Sequence, residues 1–231
     1  MVENVEVDVA KASTKAGYAD LRIDQRTLER LLGKKLGAEL LEESSSGTSR
    51  LWIETLEVSG FGTTRNLVIE IREHRISVQA ASSKEAEAAL RWILSNVASA
   101  LNREDQVKEF TVFFDSVIKA QWSENTTGLV ARGLLNTVEG HRKDFRFVGV
   151  DPTMILCPRV DLLLIPDMTK ISMPDALARD SAGIAQARLS IRVDTLSDHY
   201  TNVVTLSAGV SDEELVKISE ELEEVLAESR S

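Results

Sequence analysis

The chain has 231 residues, with 27 lysines and arginines against 37 aspartates and glutamates, for a formal net charge of -10. At 43% hydrophobic and 28% charged residues it matches chains that fold around a core, and the profile of a disordered chain is excluded. This length suits a single α+β domain over 1–231, or a subdivision into 1–120 and 121–231.

Near the start, Val5, Val7 and Val9 alternate with polar residues, the period of two that predicts a short, half-buried edge strand. The same opening has no basic start followed by an apolar run, so no signal peptide is expected. From Asp24, a capping acceptor, Leu28, Leu31, Leu32, Leu36 and Leu40 recur at helical spacing and predict a helix of roughly four to five turns. Gly33 and Gly37 fall inside that pattern. Each costs about 1 kcal/mol relative to alanine, unless it permits close contact with another backbone. Residues 42–49, EESSSGTS, have the composition of an exposed linker. Strand patterns at 51–58, 67–71 and 76–80 predict an antiparallel meander.

Ser82 with Glu85 forms a capping box, and Ala86, Ala89, Leu90, Ile93, Leu94, Val97 and Leu101 then supply the apolar stripe of a helix. An aromatic strand with Phe110, Phe113 and Phe114 is expected over 107–115, and a helix over 126–138 from Val130, Leu134, Leu135 and Val138. Buried strands are expected at 145–150 and 154–165, the second bending at Pro158, which has no amide hydrogen for a ladder. Its apolar runs are broken by Pro158, Arg159 and Asp161, well short of the roughly 20 residues that span a bilayer, so no membrane span is expected. Cys157 in this strand is the only cysteine; it reads as a core thiol, excludes an intramolecular disulfide and suits a reducing, cytoplasmic compartment.

Pro174 and Asp175 open a short helix through Ala176 to Ala178, and patterns at 188–194 and 200–206 predict a second hairpin. Ser211 and Glu214 repeat the capping box ahead of a final helix running to about residue 228. The fold class that follows is α+β, a mainly antiparallel sheet with helices packed on one face. A weak echo between RLWIETLE and RLSIRVDT, each leading to a Ser-capped helix, raises a pseudo-duplicated strand-strand-helix unit, with chance similarity of two common motifs the simpler account.

Candidate sites are few. Gly60, Phe61, Gly62, Thr63 and Thr64 combine flexible glycines, an aromatic and hydroxyls beside Arg65, the ingredients of an anion-cradling loop. Both flanks read as strands and no Walker lysine follows, so a hairpin turn explains the segment at least as well. Asp194, Asp198 and His199, with Tyr200, offer oxygen and imidazole groups for a ligand or an acid/base pair. The chain has 3 histidines, and His74 and His141 lie in other segments without metal-ligand spacing, so no metal site and no cofactor are expected. GxSxG and GxGxxG patterns do not occur.

His141, Arg142, Lys143 and Arg146 around Phe145 form a basic cluster, but the net charge disfavours nucleic acid as a partner. In the last helix Leu215, Ile218, Leu222 and Val225 draw a narrow apolar seam among glutamates, suited to docking on the sheet or on a partner. The expectation is an acidic, non-enzymatic protein-protein interaction protein: an adaptor, inhibitor or assembly subunit binding a protein partner or itself as a homo-oligomer. The alternative is a small-molecule-binding domain or enzyme using the 194–200 and 59–65 loops.

Overall fold

The computed structural model describes residues 2, 4–14, 23–43, 47–72, 75–104, 111–123, 159–164, 189–194 and 203–228. The helices expected at 126–138 and 174–178, the strand at 145–150, Cys157, Pro158, the 141–146 cluster, Asp198 and His199 lie outside them. The chain divides into two compact units, one of Val7–Ser116 with Val210–Asp212, the other of Met1–Glu6, Val117–Gly209 and Glu213–Ser231.

In the first unit the strands run in the order β2-β3-β4-β5-β1, with β1 Asn4–Thr14, β2 Glu39–Glu43, β3 Ser49–Val58, β4 Gly62–Arg72 and β5 Arg75–Ala80. Every neighbouring pair in that order is antiparallel. Leu51, Ile53, Leu67, Ile69, Ile71, Ile76 and Val78 form the buried side, against Leu28 and Leu32 of helix α1 (Gln25–Leu36) and Ala86, Ala89, Leu90, Ile93 and Leu94 of α2 (Ser83–Ala100). Large aliphatics at alternate strand positions and at three-to-four spacing in the helices account for this core.

Local chemistry sets the helix ends. Asp24 caps α1, its carboxylate accepting from the Thr27 amide at 3.0 Å. The helix is shorter than the leucine spacing predicts, because Gly37 takes a left-handed φ of 65° and ends it, and Leu40 lies in β2 instead. At α2 the Ser82 half of the expected capping box forms, with Ser82 Oγ accepting from the Glu85 amide at 3.2 Å. Its other end closes through Asn102, at φ 54°, with Asn102 N to Ser99 O at 3.1 Å and Arg103 N to Ala98 O at 2.9 Å. These two bonds are the Schellman pair that satisfies otherwise orphaned carbonyls.

β3 and β4 change their buried side together. Leu51 and Ile53 are buried, then Leu56 and Val58; across the ladder Leu67, Ile69 and Ile71 are buried, then Thr64. Pairing stays in step through Ile53↔Leu67 and Thr55↔Arg65, and Asn66 between them holds φ 53°. A single left-handed residue, tolerated by Asn, reverses the sidedness of the hairpin's outer half. Thr64 pays no polar penalty there, since its hydroxyl donates to the Leu56 carbonyl at 3.2 Å.

The remaining strands run in the order β6-β9-β8-β7, with β6 Phe113–Gln121, which enters the second unit after Ser116, β7 Arg159–Leu164, β8 Leu189–Asp194 and β9 Val203–Ala208. β7 pairs antiparallel with β8 and β8 with β9, giving the hairpin expected near 188–206. The aromatic strand begins at Phe113, later than its sequence pattern suggests. Helix α3 (Asp212–Glu228) follows β9. The fold is therefore α+β with a mainly antiparallel sheet. β4-β5-α2 and β8-β9-α3 share a strand-strand-helix order, which by itself does not establish duplication.

Candidate interaction surface

The 59–65 segment joins two antiparallel strands. Phe61 N donates to Val58 O at 3.0 Å, Gly60 takes φ 83° and Gly62 φ 117°, and Val58 pairs with Gly62. Positive φ at the third turn position is what a type II turn requires, hence glycine there. Thr63 donates to Glu57 Oε1 at 2.5 Å and Thr64 to a carbonyl, so both hydroxyls serve the hairpin itself. Phe61 stands at the tip, 46% exposed. Asp194 ends β8.

The final helix places its predicted seam unevenly. Leu215 is buried, Ile218 and Leu222 are half-buried, and Val225 is 63% exposed. The line that turns inward instead runs Leu215, Ser219, Glu223. Ser219 Oγ accepts from the Trp122 indole at 2.9 Å, and Glu223 Oε1 accepts from the Ser123 amide at 2.6 Å. Sequence reading grouped Glu223 with the glutamates beside the seam; Trp122 and Ser123, just after β6 and far off in the chain, give Ser219 and Glu223 these polar partners.

A second buried polar set sits in the first unit. The Ser83 amide donates to Asp212 Oδ1 at 3.0 Å, and the Asp212 amide donates to Ser83 Oγ, also at 3.0 Å. Ser83 Oγ and Ser116 Oγ are 3.3 Å apart. Each partner is the first residue of a helix, where backbone amides lack intrahelical acceptors and a carboxylate is favoured by the helix dipole. All three side chains are buried, so this arrangement is a structural joint with no access for substrate.

On the sheet side away from the helices, Glu70 is contacted by Arg72 Nε at 2.7 Å, Arg50 Nε at 3.6 Å and Lys11 Nζ at 3.6 Å. Lys11 reaches it from β1 across β5, where the register sets the small Ser77 beside Glu70 and Ser13 beside Ser77. Arg75 Nη2 donates to Ser13 Oγ at 2.9 Å. The cations knit three strands, β1, β3 and β4, around one carboxylate, each pair near the solvent having modest strength.

The remaining surface feature is β2. It ends the strand order, and no strand among the described residues pairs with its outer side. Its register against β3 shifts between Leu40 and Glu42, so Leu41 is the extra residue of a bulge. Consecutive leucines thereby both face solvent, at 56% and 57% exposed. Burying a leucine is worth about 1.5–3 kcal/mol, and an exposed pair on an open edge forgoes that gain. Periodicity alone could not find this site, because the bulge breaks the alternation that marks a strand.

Among the described residues no helix is long and apolar enough to cross a membrane, and no group of three or more His, Cys, Asp or Glu is placed to hold a metal ion. No protein-family model matches the chain, and no curated protein matches it.

Proposed function

We propose that this chain is a non-enzymatic protein-interaction protein, an adaptor, inhibitor or assembly subunit working in the cytoplasm. The observation that carries this reading is the Leu40–Leu41 pair, more than half exposed on a strand whose outer edge is paired by no strand among the described residues. Such an edge presents unsatisfied backbone donors and acceptors in a row, and proteins bind it by adding a strand. The hydroxyls that the sequence offered for an anion-cradling loop support the same reading: Thr63 and Thr64 are spent on bonds within the hairpin.

The test combines size-exclusion chromatography with light scattering and affinity capture, on the wild-type chain and on a Leu40→Ser, Leu41→Ser variant. The expected result is a defined complex, with a protein partner or a second copy, that the variant loses while keeping its circular dichroism spectrum. A wild-type chain that stays strictly monomeric and retains no protein overturns the reading.

A further inference from the structure

We infer that the outer edge of β2 accepts an extended polypeptide segment in which lysine or arginine alternates with apolar residues. The inference rests on the interaction reading above and names the partner's chemistry. Three observations lead to it. β2 offers five residues, about 17 Å of strand at the usual rise, enough for a short added strand. Leu40 and Leu41 supply exposed apolar area in the middle of that length. Their neighbours in β2 are Glu39, Glu42 and Glu43, so the strand carries three acids and no base.

The same acids argue against a second copy as occupant. Two β2 strands paired antiparallel about Leu41 would set Glu39 of one opposite Glu43 of the other, twice, and like charges directly opposite destabilise a ladder. Edge glutamates and a bulge are devices that prevent sheets from joining edge to edge. They block a copy of this chain and acidic strands generally, while a strand bearing cations at those positions gains cross-strand ion pairs. The edge is thus selective: closed to self, open to a basic segment.

The probe is a fluorescein-labelled peptide alternating lysine with valine, followed by fluorescence anisotropy and by amide hydrogen exchange of the chain. Two control peptides accompany it, one with glutamate replacing lysine, one with alternate backbone amides N-methylated. Expected are saturable binding of the basic peptide and slowed exchange over 39–43. The acidic and N-methylated peptides should bind about tenfold more weakly or not at all, since one lacks the charge and the other the ladder donors. A Glu39→Lys, Glu42→Lys variant should lose about tenfold for the basic peptide and gain for the acidic one. Equal binding of the N-methylated peptide, equal binding of the acidic one, or protection located away from β2 overturns the inference. So does concentration-dependent protection of β2 with no peptide present, which would make the occupant a second copy. A protein partner whose capture survives every β2 substitution leaves the interaction reading standing and removes this one.

Discussion

Replacing Asp212 by alanine tests whether the reciprocal joint at the two helix starts holds the first unit together. The substitution removes the acceptor of a 3.0 Å bond from the Ser83 amide at a site where Asp212 is only 7% exposed. A hydrogen bond to a charged group contributes about 1.5–3 kcal/mol, and a carboxylate at a helix N-terminus adds about 0.3–1 kcal/mol. The expected loss is therefore about 2–4 kcal/mol, far outside the ±0.5 kcal/mol typical of surface changes. Asp212→Asn keeps an acceptor without the charge and should lose about half as much.

The opposite half of the joint, the 3.0 Å bond from the Asp212 amide to Ser83 Oγ, is untouched by changing the Asp212 side chain. Ser83→Ala removes it, together with the contact to Ser116, and should cost about 1–3 kcal/mol. If each bond holds the geometry of the other, the double variant loses less than the sum, with a coupling of about 0.5–3 kcal/mol. Urea unfolding followed by circular dichroism gives all four stabilities. A Asp212→Ala loss under about 0.5 kcal/mol, or strict additivity, refutes the argument.

Gly60→Ala should destabilise by about 1–2 kcal/mol through its φ of 83° alone, since a Cβ there meets nothing within 4 Å; a thermal melt unchanged by the substitution contradicts the turn assignment. Gly33→Ala should stabilise by about 0.5–1 kcal/mol, because its Cβ would make an ordinary 3.5 Å contact with the Ala38 carbonyl while helix propensity improves; a lower urea midpoint would show that the contact does not relax. Hydrogen bonds from Thr27, its side chain foremost and then its amide, hold the Asp24 carboxyl below its ordinary value of 3.8. A depressed folded-state value means the cap's contribution is present above 3.8 and is lost as pH falls below it, so NMR titration should give Asp24 a midpoint under 3.8 that Asp24→Asn abolishes from the acid unfolding profile.

The parts of the fold legible in the sequence were those whose signals are local. Ser82 and Glu85 sit three apart and announce α2; glycines 60 and 62 between apolar strands announce a turn. Where the reading went astray, a single residue or a distant partner decided. Gly37 could be read as a tolerated helix glycine or as a stop, and its left-handed φ made it the stop, turning Leu40 from a helix position into a strand one. Glu223 read as one of the glutamates beside the seam because its partner, Ser123, lies 100 residues away, and Ser219 gave no signal because Trp122 lies 97 away. Asp212 and Ser83 are 129 apart, and the caps legible in the sequence were their neighbours Ser211 and Ser82.

The same distinction explains why the interaction surface was harder to read than the core. A core residue is recognised by repetition, since many side chains must face one way and the period reports it. An edge is recognised by what is missing on one side of a strand, and no period encodes a missing neighbour. In β2 the bulge at Leu41 also removes the alternation, leaving ELLEE indistinguishable from a stretch of helix or linker until β3 fixes its register. The seam in α3 misleads for the opposite reason: Leu215, Ile218, Leu222 and Val225 keep a regular spacing, yet the docked line follows Ser219 and Glu223 because two hydrogen-bond donors wait there. The Trp122 indole is buried, and a buried donor left unpaired costs about 1–3 kcal/mol, comparable to the whole gain from burying a valine. Val225 is consequently left on the surface, at 63% exposed, as a position where serine should change stability by no more than about 0.5 kcal/mol.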